Sequence, residues 1–354
     1  MRRLKLTYYL LTLVCITFTS CISEDIISTY PSDKESGKTQ IHLTMKLSET
    51  GNVNETSSPY DFSYERYIND VSIYIFSKDD KFIEQINNPQ ITGNDGDATR
   101  TIFGILEEDY STYTNGIEII VLTNLAKRGV TAPQLVTNQT KEDLYNALKF
   151  DYALNSSWQF RDSSKEYIPM WGISQIDGIL HTGVNKGNLS LYRAIARVDV
   201  IFNTDGEGFS HFNITNITVD HFNNQGFCAP MNGLDTPSIP NASQIRTNAS
   251  FFQPIPSKKI YRLYIPEYNN IDKADSEISK IKILGNLTTT NGTIVYGKEY
   301  TIEFKNGSTQ LDILRNNLYK FNVTSITNEV AVTSSLKYEV EKWEYITVNV
   351  PSFN

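Results

Sequence analysis

Apolar and polar residues alternate along the segment "QIHLTMKL" near the start of the chain. The apolar residues that share one face of this segment are Ile41, Leu43, Met45 and Leu47. Alternation with a period of two is typical of a β-strand that is buried on one face. We therefore predict a strand here, with these four side chains in a hydrophobic core.

Further strands are predicted along the rest of the sequence. "DVSIYIFS" alternates, and "GIEIIVLTNLA" is an almost continuous apolar run that suits a strand buried on both faces. "NLSLYRAIARVDVIF" predicts one long strand from Asn188 to Phe202, and "KIYRLYIPEY", "SKIKILGNLT" and "NLYKFNV" predict others. The pair Asn291-Gly292 is typical of a hairpin turn. Short strands at regular spacing predict an all-β protein built from β-sandwiches.

One helix is predicted in the segment "TKEDLYNALKF". Thr140 stands at its N-cap, and Asp143 lies three residues later, where its carboxylate can complete a capping box. Leu144, Ala147 and Leu148 share one face and predict contact with a core.

The start of the chain has the pattern of a secretory signal. Basic residues precede a short apolar run, which ends in small residues directly before Cys21. This resembles the lipobox of bacterial lipoproteins, in which the cysteine is acylated, and we expect Cys21 to carry the lipid. An ordinary signal peptide with an incidental cysteine is the alternative. The acidic residues Glu24 and Asp25 resemble a surface-export signal, and a solvated linker is the alternative reading.

Length and pattern together predict the domain organisation. The chain has 354 residues, enough for two domains after a signal is removed. We expect a signal over residues 1–20, a tether over 21–37, and β-sandwich domains over 38–187 and 188–354, with the helix in the first domain.

Composition excludes several classes of function. The net charge is −8 and there is no long basic run, which argues against a nucleic-acid partner. Of the three cysteines, Cys15 is lost with the signal and Cys21 is lipidated, so Cys228 alone cannot form an internal disulfide.

Motifs of catalysis and metal binding are missing from the sequence. The four histidines form no HExxH motif, and no P-loop or Gly-X-Ser-X-Gly segment occurs. Fragments at Asn94 and Asn203 resemble the front of a calcium loop, but the second lacks a closing glutamate, and polar turns explain both. We therefore expect no enzyme, no bound metal and no cofactor.

Several segments in order resemble the fimbrillin family, the type V pilus subunits of Bacteroidales. These are the lipobox, "DVSIYIFS", "IVLTNLA", "IPMWG", "LYRAIARVDV", "YIPEY", "ILRNNLYKFNV" and "VEKWEYITVNV", which together span nearly the whole chain. The resemblance implies two transthyretin-like β-sandwich domains in tandem. It also implies a surface lipoprotein of the outer membrane that becomes part of a fimbria.

The resemblance implies a mechanism of assembly as well. An arginine-specific protease removes the lipidated segment with one β-strand, and the open groove accepts a strand from the next subunit, head to tail. The strand Ile41–Leu47 has the pattern of the removable strand. No arginine occurs between Arg3 and Arg66, so we expect Arg66 to be the processing site. In an uncleaved anchor subunit the same strand would be permanent.

The predicted function is a structural subunit of a cell-surface fimbria that supports adhesion, with other fimbrial subunits and a host or bacterial receptor as partners. A membrane-held fimbrial anchor is one alternative, and a surface glycan-binding lipoprotein is another. The glycan alternative needs exposed aromatic platforms, for which the tryptophans are Trp158, Trp171 and Trp343. The C-terminal "TVNVPSFN" is either a donor strand or the last strand of its own sandwich. We expect Arg193 and Arg197 to be solvated strand residues paired with acidic side chains.

Overall fold

The structure is a computed structural model of the chain. It describes residues 37–47, 63–152, 167–202, 211–249, 252–255, 260–271, 273–289, 291–306, 308–323 and 337–342. Chain contacts divide the protein into Met1–Lys38 and a second compact unit, Thr39–Asn354, whose fold follows. The predicted signal, Cys21, nearly all of the tether and the segment "TVNVPSFN" lie outside the described residues.

The first half of this unit contains strands, short 3-10 turns at Ser63–Arg66 and Ala126–Arg128, and an α-helix. In chain order its elements are β1 Thr39–Leu47, β2 Val71–Ser77, β3 Phe82–Gln85, β4 Gln90–Thr92, β5 Thr99–Leu106, β6 Ile117–Thr123, α1 Lys141–Ala147, β7 Lys149–Asp151, β8 Met170–Ile176 and β9 Gly183–Arg193.

The second half is formed by strands alone in the residues that the structure describes. These are β10 Ala196–Phe202, β11 Phe212–Asp220, β12 Phe222–Asn223, β13 Gln225–Phe227, β14 Ile245–Arg246, β15 Gln253–Ile255, β16 Ile260–Ile265, β17 Lys280–Thr288, β18 Ile294–Glu303, β19 Lys305–Asn306, β20 Thr309–Gln310, β21 Asn317–Val323 and β22 Lys337–Lys342.

Eight strands of the first half form one sheet in the order β3-β2-β6-β8-β9-β1-β5-β4. β9 joins two parts of this sheet, one formed by β3, β2, β6 and β8 and the other by β1, β5 and β4. Residues 183–191 of β9 pair with β1, whereas Tyr192 and Arg193 pair with β8. Apolar side chains of β1, β5 and β9 form one hydrophobic cluster with those of β2 and β6. The two parts of the sheet therefore enclose a core in the manner of a sandwich.

The second half is built on a five-stranded sheet, β15-β16-β10-β21-β22, and a three-stranded sheet, β11-β17-β18. Three short pairs, β12-β14, β13-β7 and β19-β20, complete the topology of the described residues. A second hydrophobic cluster includes Val198 of β10, Ile283 of β17 and Phe321 of β21, together with Tyr74 and Leu122 from the first half. The two halves therefore share a core.

The all-β class with one short helix is confirmed, and the local signals of the sequence explain its clearest elements. All seven residues of β6 are buried, as its continuous apolar run predicts. Thr140 caps α1, and the capping box is complete: the Asp143 amide donates to Thr140 Oγ1 and the Thr140 amide donates to the Asp143 carboxylate. Of the three residues predicted to contact a core, Leu144 and Leu148 are buried, whereas Ala147, at the end of the helix, is exposed.

The single long strand predicted over residues 188–202 is wrong. It is two strands, β9 and β10, which belong to different sheets and are separated by Ala194 and Ile195. Asn316 stabilises the break with two hydrogen bonds. Its side-chain oxygen accepts from the backbone amide of Arg193, and its backbone amide donates to the Ile195 carbonyl. The boundary predicted after residue 187 lies within β9, and the division into 38–187 and 188–354 stays a prediction.

Candidate functional site

β1 lies in the interior of its sheet. It pairs antiparallel with β5 on one side and parallel with β9 on the other, and Leu43 stands opposite Ile102 and Gly187. Because both neighbours hydrogen-bond to it, β1 has no free edge. The segment predicted to be removable is therefore a central strand, and taking it out would leave a groove between β5 and β9.

The four apolar residues predicted for β1 all enter the core. Ile41, Leu43 and Met45 have no exposed surface and Leu47 is 2% exposed. All four belong to the cluster that includes Ile73 of β2. Burying four such side chains contributes roughly 6–12 kcal/mol, an upper value because the unfolded chain already buries some apolar surface. β1 is thus a main part of this core.

Two glycines shape the groove around β1. A Cβ atom added at Gly187 of β9 would lie 2.9 Å from Leu43 Cδ2 and 2.8 Å from Ser174 Oγ. A Cβ atom at Gly104 of β5 would lie 2.6 Å from Ile86 Cδ1 and 3.3 Å from Ile41 Cγ1. These contacts are closer than packed side chains accept without moving. Because these two positions have no side chain, the groove has room for the packed side chains next to it, including Leu43 and Ile41 of β1.

The opposite face of β1 is half-buried and polar. His42 lies edge-on to Phe103 of β5, with 4.4 Å between the ring centroids. Burial lowers the pKa of His42 from its usual value of 6.5, and the positive charge of Lys186 lowers it further. The neutral form of this histidine therefore suits its place in the sheet.

The predicted processing site, Arg66, is a buried residue. It ends the 3-10 turn Ser63–Arg66, is 9% exposed, and donates from Nε to the Gly96 carbonyl oxygen at 2.6 Å. The fragment at Asn94 that holds it is a polar turn, in which Asp97 accepts from the Asn94 amide and Asp95 pairs with Arg100. The calcium-loop resemblance of this fragment is thus explained by its own hydrogen bonds.

Glu65, the neighbour of Arg66 on this turn, is 1% exposed and lies among charged partners. Its carboxylate accepts from Arg197 Nη1 at 2.9 Å and from the Tyr264 hydroxyl. Its backbone carbonyl accepts from Arg193 Nε at 3.1 Å. A carboxylate this deeply buried is stable only because such donors surround it.

The cluster continues along two paired strands. Asp199 of β10 stands opposite Arg262 of β16 in the antiparallel register, and its two oxygens accept from Arg262 at 2.7 and 2.8 Å. Arg197 donates to the same carboxylate at 2.7 and 3.2 Å. Burial raises the pKa of Asp199 to about 6 against the opposing effect of Arg197, and burial lowers the pKa of Arg193 to about 10. We call Glu65, Arg193, Arg197, Asp199, Arg262 and Tyr264 the ion cluster.

The expectation of solvated arginines is wrong in one respect and correct in another. Arg193 is 1% exposed and Arg197 has no exposed surface, so neither is solvated, although Arg197 does pair with acidic side chains. The sequence places Arg197 on the face of β10 opposite Val198, but it gives no sign that this face is covered. Glu65, which lies 132 residues away, could not be assigned to it from local patterns.

The other candidate residues form no second site in the described ranges. No group of three or more His, Cys, Asp and Glu residues lies close enough there to hold a metal ion. His221 faces Asp220 at 3.5 Å. Cys228 is buried, and burial raises the pKa of its thiol to about 12. The Asn203 fragment lies outside the described residues, as does Cys21.

Trp171 is 7% exposed and donates from Nε1 to the Tyr145 hydroxyl at 3.1 Å. It packs against two tyrosine rings and is not an exposed platform for a sugar. Trp158 and Trp343 lie outside the described residues. Within those residues, no helix has the length and apolar character that crossing a bilayer requires.

Comparison with known proteins identifies relatives over most of the chain. The model of the family described as fimbrillin-A associated anchor proteins Mfa1 and Mfa2 matches residues 32–349. No curated protein matches the sequence.

Similar folds occur among solved structures of Bacteroidales proteins. A candidate cell adhesion protein of Parabacteroides distasonis is 16% identical, with a TM-score of 0.53 over 87% of this chain and 96% of that one. A fimbrial assembly protein of the same species has a TM-score of 0.49 at 14% identity, covering 86% and 96% of the two chains. The fimbrial anchor protein Mfa2 of Porphyromonas gingivalis has a TM-score of 0.39 at 9% identity, covering 86% and 98%. At 16% identity, the likeness to the first of these structures shows a similar fold and nothing more.

Proposed function

This chain belongs to the family of fimbrillin-A associated anchor proteins, and from that premise we propose that it is a fimbrial anchor subunit that keeps its N-terminal strand. In this role a lipid on Cys21 holds the protein in the outer membrane at the cell surface. Other fimbrial subunits are its partners. The role is structural, with no catalytic step and no cofactor.

The observation that carries the proposal is the burial of Glu65 beside Arg66. A cut after Arg66 would leave Glu65 on the departing piece, and Arg197 would lose one of its carboxylate partners. Removing one member of a buried ion pair costs about 3–5 kcal/mol, because the remaining charge stays out of water. Loss of the segment would also remove β1 from the core. The ion cluster therefore favours a chain that stays whole.

The second candidate is the subunit predicted from the sequence, which loses β1 and polymerises by strand exchange. The position of β1 between β5 and β9 supports it, because a strand donated by another subunit would pair on both sides of the emptied groove. An interior β1 is compatible with both roles. The two candidates differ in whether the chain is cut after Arg66, which would separate Glu65 from the rest of the ion cluster.

A lipid at Cys21 would account for the membrane attachment that an anchor requires. Each buried CH₂ group of an acyl chain contributes about 0.8 kcal/mol, and more than one chain gives a stable anchor. The receptor predicted for adhesion would be reached through the fimbria that this subunit holds.

Deletion of the gene separates the two candidates. An anchor is needed for attachment and not for polymerisation, so we expect the deletion strain to release assembled filaments into the medium, visible by electron microscopy. Absence of all filaments would instead support a polymerising subunit.

Two cysteine substitutions test the lipid itself. We expect Cys21→Ser to reproduce the release of filaments and to abolish labelling by a fatty-acid analogue. Cys15→Ser is the matched control, because this cysteine lies within the signal and should leave both attachment and labelling unchanged. Normal attachment of the Cys21→Ser strain would contradict the proposal.

A further inference from the structure

The ion cluster joins parts of the chain that lie far apart in sequence. Glu65 belongs to the turn before β2, whereas Arg197 lies on β10 and Tyr264 on β16. The contacts of the Glu65 carboxylate span 132 and 199 residues. Since both partners belong to the five-stranded sheet, Glu65 ties the first half of the fold to the second.

We propose that Glu65 is a latch that holds the turn Ser63–Arg66 against the five-stranded sheet and thereby keeps the Arg66–Tyr67 bond closed to trypsin-like proteases. The latch rests on the same buried Glu65 that supports the anchoring role, and it adds a property of the folded chain that can be measured on the isolated protein. It requires neither the lipid nor a fimbrial partner, so the two proposals can fail separately.

Proteolysis at Arg66 needs the turn to open. A protease must take the arginine side chain into its own pocket, but Arg66 is 9% exposed and donates to the Gly96 carbonyl. Glu65 is adjacent in the backbone, so the same movement would pull its carboxylate away from Arg197 and Tyr264. When opening and closing are fast, the rate of cleavage follows the population of this open form. The ion cluster sets that population.

The geometry explains why the charge of Glu65 matters more than its size. Its carboxylate accepts from a guanidinium and a hydroxyl in a site with almost no exposure to water, where charge-assisted bonds are strong. Glutamine keeps the shape of the side chain and removes the charge. Arg197 would then keep only Asp199 as an acidic partner among the contacts described above.

Limited trypsin digestion of the full-length protein in mild detergent, followed by intact mass, measures the latch. We expect Glu65→Gln to raise the rate of cleavage after Arg66 roughly tenfold or more, since loss of a buried counter-ion is a large perturbation. Cleavage after Lys81, an exposed residue between β2 and β3, is the internal reference and should not change. An unchanged rate after Arg66 would overturn the proposal.

Glu84→Gln is the matched control variant. The Glu84 carboxylate is half-buried and, like that of Glu65, accepts from a tyrosine hydroxyl, that of Tyr110 at 2.7 Å, but it is not part of the ion cluster. We expect this variant to leave the cleavage rate after Arg66 as in the unmodified protein. A similar acceleration in both variants would mean general loosening of the fold and would also overturn the latch.

Tyr264→Phe keeps the test decisive if Glu65→Gln does not fold. It removes one hydroxyl that donates to Glu65 and leaves the ring in the core. We expect cleavage after Arg66 to be faster than in the unmodified protein by several-fold, since a hydrogen bond to a charged group is lost. No acceleration in this variant would contradict the latch.

Discussion

β1 and β18 are two strands of similar length with opposite places in the fold. β1 has nine residues, two neighbouring strands and four side chains in the core. β18 has ten residues and, among the strands that the structure describes, pairs with β17 alone, at the edge of the three-stranded sheet. Its first three residues are large, apolar and exposed: Ile294 by 46%, Val295 by 39% and Tyr296 by 74%.

Apolar content alone therefore does not determine how much a strand contributes to stability. The residues of β1 are buried because β5, β9 and the facing part of the sheet enclose them. The start of β18 is also apolar, but it lies on the edge strand of its sheet and its side chains stay exposed. Four substitutions test this comparison, in order of decreasing expected effect.

Leu43→Ala is expected to have the largest effect. It removes a side chain with no exposed surface, and such changes lower the free energy of unfolding by about 2–5 kcal/mol. Val295→Ala on β18 is the matched control, with an expected change within about 0.5 kcal/mol. Urea unfolding followed by circular dichroism measures both, and equal losses would break the comparison.

Gly187→Ala is expected to have the next largest effect. The new Cβ atom would lie within 2.9 Å of Leu43 Cδ2, and forcing extra volume into a packed core costs about 1–3 kcal/mol. The cost should be smaller in a Leu43→Ala background, where the Leu43 Cδ2 contact is absent and only the contact with Ser174 Oγ at 2.8 Å remains among those below 3 Å. A double-mutant cycle in urea measures this coupling. Strict additivity would show that the two residues do not touch.

His42, on β1, makes the folding stability of the protein sensitive to acid. Its pKa in the folded protein is lowered by burial and by Lys186, so the unfolded chain takes up a proton first as the pH falls below 6.5. The stability contributed by the neutral histidine is therefore complete above pH 6.5 and is lost as the pH falls through the folded-state value.

We expect His42→Gln to lose this part of the pH dependence, by an amount smaller than the effect of either core substitution. Unfolding midpoints measured from pH 7.5 to 5 test the prediction, with His181→Gln as control. Identical pH profiles for His42→Gln and the unmodified protein would contradict it.

Tyr296→Ser is expected to have the smallest effect. Its side chain is 74% exposed, and surface changes away from special contacts stay within about 0.5 kcal/mol. A thermal unfolding curve that superimposes on that of the unmodified protein is the expected result. A large loss of stability would show that the start of β18 is covered by another part of the chain.

Local patterns of the sequence predicted the elements that depend on near neighbours. The alternation of β1, the continuous apolar run of β6 and the capping box of α1 all appear as predicted. Each arises from residues within one strand or one helical turn, so the pattern contains the information. The fold class follows from the same signals.

The contacts that join distant segments could not be predicted in this way. Glu65 meets Tyr264 across 199 residues, and no local pattern marks either residue as buried. The break at Ala194 and Ile195 is also non-local, because Asn316 stabilises it from 121 residues beyond Ile195. The alternation of β1 is the same for a permanent strand and a removable one, so the sequence could not decide its fate.

Intact mass and N-terminal sequence of the native protein test the central claim most directly, that β1 remains part of the chain. The protein is taken separately from outer membranes and from sheared surface filaments. We expect an acylated Cys21 with β1 still attached, in the membrane fraction. A chain that begins directly after Arg66, without lipid and in the sheared filaments, would contradict it.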